Sequence, residues 1–158
     1  MQGDARIIDL LNQVLRKELT GINQYFIHSR MCKNWGYTAL EKVSYQESLE
    51  EMKHADALIQ RILFLEGVPN LSDYDPIRVG GTVREQIDFD LTLEIGALAV
   101  LRSGVSLCLE AEDHATRELL EHILEDEEHH VDWLEAQQHK IAEVGYQLYL
   151  SQQFYERE

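Results

Sequence analysis

The chain has 158 residues, with 29 acidic against 14 basic side chains and a net charge of −15 with histidine neutral. That balance suits cations and argues against nonspecific binding to nucleic acid or anionic membrane, both of which reward positive charge. The length fits one domain, residues 1–158, able to bury about two-thirds of the surface its unfolded chain exposes.

Apolar residues recur at helical spacing in four long segments, placed near 4–34, 38–66, 83–111 and 115–144. At ~1.5 Å per residue each would run roughly 40–45 Å. The first two meet at Asn34-Trp35-Gly36 and the last two near Glu112-Asp113-His114; joins this short make antiparallel neighbours. Between them, Gly67 to Gly81 holds both prolines, Pro69 and Pro76. A connection of that length has to travel the height of a bundle. After Gly145, residues near 147–154 can form a short fifth helix, too short to stand alone. The expectation is an all-α four-helix bundle with one long crossover and a short C-terminal helix.

No apolar run is expected to approach a membrane span. The start, Met1-Gln2-Gly3-Asp4-Ala5-Arg6, lacks the apolar stretch of a secretory signal, so the cytoplasm is the default location. Cys32 and Cys108 are too few for a disulfide framework and read as ordinary buried thiols.

Six residues interrupt the apolar stripes: Glu18, Glu51 and His54, then Glu94, Glu127 and His130. The second trio repeats the first at a constant offset of 76 (94 − 18, 127 − 51, 130 − 54). Within each half a lone Glu precedes a Glu-x-x-His pair by 33 residues (51 − 18, 127 − 94). Residues three apart share a helix face, so each pair can close on one point. Four ionised carboxylates in one low-dielectric interior repel and lose hydration unless something positive sits among them. Two divalent cations supply +4 against −4. Carboxylates with imidazole, no thiolate, and more donors than a tetrahedral zinc needs favour iron or manganese. A structural polar network without metal is the competing reading, and a half-satisfied buried network is costly.

The chain resembles the bacterioferritins from end to end. The resemblance is carried by Glu18-Leu19-Thr20-Gly21-Ile22-Asn23-Gln24-Tyr25-Phe26, Glu50-Glu51-Met52-Lys53-His54-Ala55-Asp56, Arg61-Ile62-Leu63-Phe64-Leu65-Glu66-Gly67 and Asp126-Glu127-Glu128-His129-His130-Val131-Asp132-Trp133-Leu134. It implies a ferroxidase centre of two non-haem irons per chain, Glu51 and Glu127 bridging, Glu18 and Glu94 capping, His54 and His130 each giving a nitrogen. It also implies a 24-subunit cage built from two-fold dimers that stores ferric mineral, with the last helix at the four-fold channels. On spacing alone Met52 reads as a methionine filling gaps at an interface. The resemblance makes it an axial ligand to haem b, shared between two chains, with a small ferredoxin-like electron donor for iron release.

Tyr25 lies two turns beyond Glu18, where it can hydrogen-bond a metal-bound carboxylate, lend an electron, or simply fill the core. Trp133 is equally ambiguous. Glu47 and Glu50 could pass iron between the centre and the cavity, or be a solvated acidic face. Where some bacterioferritins carry an inner-surface His, this chain has Gln46, a departure that puts an accessory site there in doubt; His122 and His129 read as exposed. The function expected from these features is iron storage with Fe(II) oxidised by oxygen or peroxide. The rivals are a non-storage di-iron enzyme of oxygenase or peroxidase type, manganese catalase included, and a haem-binding structural subunit in a mixed cage with a second ferritin-type chain.

Overall fold

A computed structural model of the chain describes residues 1–154; positions 155–158 of the expected domain lie outside the described residues. Five helices follow one another: α1 (Ala5–Trp35), α2 (Thr38–Phe64), α3 (Val83–Glu110), α4 (His114–Val144) and α5 (Tyr146–Ser151). The fold class is the one expected, an all-α bundle with a long crossover, although α5 ends at Ser151 rather than near 154.

Local chemistry sets the helix ends. Asp4 caps α1 by accepting from the Arg6 amide, and Gly36 ends it in the left-handed conformation at φ 86°. The Tyr37 amide then reaches back to the Cys32 carbonyl at 2.9 Å, closing the turn into α2. Thr82 accepts from the Glu85 amide at the start of α3, and Asp113 from the Thr116 amide at the start of α4. Gly145, at φ 87°, breaks α4 from α5.

Helix α1 packs against α2 and α3, and α3 against α4. The interior is not one continuous apolar core. One cluster gathers Leu11, Leu15, Leu58, Ile62, Leu101 and Leu120. The other gathers Cys32, Leu40, Ile87, Leu134, Ile141 and Tyr149. The two cysteines belong to different clusters and both are free. Burial pushes the Cys32 thiol up to about 12 and that of Cys108 to about 11.

One expectation needs correcting. Helix α3 is long and apolar enough, by length and composition, to cross a membrane. The sequence pattern hides this because Glu94 and Arg102, with Thr92, Ser103 and Ser106, interrupt a mainly apolar run from Leu91 to Leu109. In the bundle the inward face of α3 carries buried Asp90 and Glu94, and Gly104 lets Leu10 and Leu120 approach closely.

The crossover is held by polar side chains of α1 that hydropathy patterning does not explain. Asn12 Oδ1 accepts from the Asn70 amide, Thr20 Oγ1 from Asp75, Gln24 Oε1 from Arg78 and His28 Nε2 from Gly80. A segment without regular structure leaves its amides unpaired, and this row satisfies four of them. Gln24 also donates to Asp90 Oδ1 at 2.8 Å, joining the crossover to α3. Replacing it, Gln24→Leu, leaves the Arg78 amide and Asp90 short of partners, at a cost of about 1–3 kcal/mol. Denaturant unfolding should show that loss and hydrogen exchange should show faster exchange across residues 75–81; unchanged protection there would refute the role.

Candidate metal centre

Between the two apolar clusters lie the six residues that the spacing singled out. Glu18 comes from α1, Glu51 and His54 from α2, Glu94 from α3, Glu127 and His130 from α4, and none is more than 8% exposed. One donor atom each from Glu18, Glu51, His54 and Glu127 lies within 4.8 Å of the others; Glu51, Glu94, Glu127 and His130 form a second such set. Glu51 and Glu127 belong to both. Each set therefore offers three carboxylates and one imidazole, with two carboxylates common to the pair.

The buried oxygens need an occupant. Glu18 Oε1, Glu51 Oε1, Glu94 Oε2 and both oxygens of Glu127 are buried without a well-formed hydrogen bond. Two carboxylate charges about 4 Å apart repel by about 4 kcal/mol at an effective dielectric of about 20. Burial and the Glu127 charge raise the pKa of Glu18. Burial with its anionic neighbours raises Glu51 and Glu94 well above the usual carboxylate range. Burial would raise Glu127 too, but the close approach of Glu94, His130 and His54 holds it well below. Burial would lower His54, yet Glu127, Glu18 and Asp126 outweigh it and push it up to about 11. His130 moves the same way, its desolvation outweighed by Glu127, Glu47 and Glu94. Without metal, protons neutralise the belt.

Both imidazoles are oriented for coordination. Each turns Nδ1 inward: that of His54 is 3.3 Å from Glu18 Oε2 and 3.0 Å from Glu127 Oε1, and that of His130 is 3.3 Å from Glu127 Oε2 and 3.6 Å from Glu94 Oε1. The outer nitrogens meet further carboxylates, His54 Nε2 meeting Asp126 Oδ2 at 2.8 Å and His130 Nε2 meeting Glu47 Oε2. An acceptor at Nε2 fixes the proton there and leaves the Nδ1 lone pair for a metal. The donor set fits two hard or borderline divalent ions.

Tyr25 donates to Glu94 Oε1 at 2.7 Å, and burial, followed by the Glu94 charge, raises its hydroxyl pKa well above normal. Gly21 leaves room for Glu51: a methyl group there would lie 2.9 Å from Glu51 Oε2. Glu47 sits against His130, while Glu50 offers a donor atom beside His54 and Asp126. Gln46, His122 and His129 are exposed, and Trp133 is half-buried next to the His130 end. Met52 is 53% exposed and stands apart from the six. Tyr45, seven residues before it on α2, and Phe26 of α1 are also exposed, with their rings 6.5 Å apart.

Asp126 escaped the sequence reading. A metal-binding imidazole needs an acceptor on its second nitrogen, but spacing does not say which helix supplies it. The repeat was a misleading guide here. The 76-residue offset pairs Asp126 with Glu50 (126 − 50), yet the partner of His130 is Glu47.

Comparisons with known proteins agree with this geometry. Residues 8–144 match the Ferritin-like domain family. Bacterioferritin of Mycobacterium leprae is 45% identical over 152 residues, covering 96% of either chain. Bacterioferritin of Rhodobacter capsulatus is 47% identical over 137 residues, covering 87% of this chain and 85% of that one. Bacterioferritin of Brucella melitensis is 42% identical over 149 residues, covering 94% and 92%. With a buried double set of carboxylate and imidazole donors in a crossover four-helix bundle, the chain belongs to the bacterioferritins.

Proposed function

We propose that the protein stores iron and oxidises it on the way in. The observation that carries this reading is the pair of donor sets sharing Glu51 and Glu127. Two Fe(II) ions are the substrates, held side by side so that one oxidant draws on both. Each gives up one electron; dioxygen takes two electrons and two protons to leave hydrogen peroxide, and peroxide takes two more of each to leave two waters. The chain's own residues supply the rest. Glu51 and Glu127 bridge, Glu18 and Glu94 each close one side, and Tyr25 steadies Glu94 through its hydroxyl. Asp126 and Glu47 hold the two imidazoles in register. Protons displaced when iron binds are the ones that neutralise the empty belt.

The stored product is ferric mineral inside a cage of 24 copies built from two-fold dimers, in the cytoplasm. Met52 fits a haem-binding role: its soft thioether is exposed on α2, outside the buried site. It would hold haem b from one side and a second copy's methionine from the other, and the haem, when bound, supplies electron transfer for iron release. A small ferredoxin-like protein is the electron donor.

Aerobic titration of metal-free protein with Fe(II) should give a fast phase ending near two irons per chain, then slower uptake that stays dissolved. Fast oxidation without later uptake would favour a non-storage oxygenase or peroxidase. Glu18→Ala should abolish the fast phase and keep haem, whereas Met52→Leu should lose the haem absorption and keep the fast phase. Equal damage from both would sink the two-site reading.

Metal affinity carries a sign that can be checked. Burial and neighbouring charge raise Glu18, Glu51 and Glu94, and the surrounding carboxylates raise His54 and His130, so metal binding favours proton release and weakens as pH falls, by about tenfold per unit for each proton released. Anaerobic Co(II) titrations from pH 5.5 to 8 would show it, and a pH-independent affinity would contradict it. Asp126→Asn should cost about 10–100-fold in Co(II) affinity by loosening His54.

A further inference from the structure

Two spaces meet beside the metal centre. A groove of about 370 Å³ opens between the N-terminal part of α2, the C-terminal part of α4 and α5, with Lys42 and Lys140 among its lining residues. Deeper in the bundle lies a cavity of about 20 Å³ that reaches Tyr25, Glu47 and His130 at the centre. Leu40, Val43 and Trp133 line both. They form the partition between groove and centre.

We propose that this path admits dioxygen to the His130 side of the centre, through the partition of Leu40, Val43 and Trp133. The inference rests on the ferroxidase reading. Size permits it: about 20 Å³ exceeds the roughly 10–15 Å³ that one water-sized molecule needs. The chemistry favours it, because the largely apolar partition of Leu40, Val43 and Trp133 passes an uncharged diatomic at little cost, whereas Fe(II) would lose its hydration in crossing it. The His54 side differs, with half-exposed Glu50 and Asp126 beside the imidazole. Oxidant and metal thus have separate approaches, so oxygen reaches the centre without crossing the acidic surface that gathers iron.

Val43 is the residue to vary, since it lies in the partition and contacts no metal. Val43→Trp should raise the KM for oxygen in the fast phase at least about tenfold, about 1.4 kcal/mol on the admission barrier. Val43→Ala should lower it, and both variants should still bind two Co(II) per chain. Crystals under xenon should show xenon between Tyr25 and Trp133 in the native protein and in Val43→Ala, and none there in Val43→Trp. Unchanged oxygen dependence in a Val43→Trp protein that binds Co(II) normally would overturn the route. If Val43→Trp does not fold, an unchanged oxygen KM in Val43→Ala, or no xenon in the native cavity, does the same. A native protein with no fast phase from either oxygen or peroxide would instead overturn the ferroxidase reading, and the route with it.

Discussion

The mutual repulsion of four carboxylates buried on one level of the bundle is the constraint around which the rest is arranged. Left as anions they would drive the helices apart. The apolar clusters on either side make the constraint tolerable, because they hold the helices together where the charges do not. They also exclude water from the charges, which strengthens every interaction there, favourable or not. Stability and chemistry therefore pull on the same residues from opposite directions, and burial favours the protonated form of Glu18, Glu51 and Glu94.

Neither hairpin can build half of the centre alone. Each donor set takes Glu51 from α2 and Glu127 from α4, so a set always spans both hairpins. The crossover that joins the hairpins is not a slack tether. Asn12, Thr20, Gln24 and His28 fix its backbone along α1, and Gln24 passes the constraint to Asp90 on α3. Register between the halves is thereby set close to the level where the carboxylates have to meet.

Much of this was legible in the sequence, for definite reasons. Stripes of apolar residues at helical spacing reported the four helices, and charged residues at matched offsets within those stripes reported the six donors. What patterning could not give was anything decided by side-chain direction across helices. Asp126 looked like one more acid on an acidic helix until His54 Nε2 was seen to point at it. For Glu47 the pattern leaves an iron path and a solvated acidic face equally open, and in the fold it backs His130. The amides that Thr20, Gln24 and His28 accept from lie more than 50 residues away, where local patterning does not reach. The membrane-like composition of α3 went unnoticed because isolated charges interrupt it, though they do not make it polar.

Gly21 sits in the middle of a 31-residue helix, where a glycine costs about 1 kcal/mol relative to alanine. The vacancy it leaves is taken up by the carboxylate of Glu51, which could not rest where it does beside a methyl group. Helix α1 is therefore intrinsically weakest at the turn that faces a shared donor. The softest stretch of that backbone thus lies against a carboxylate common to both donor sets.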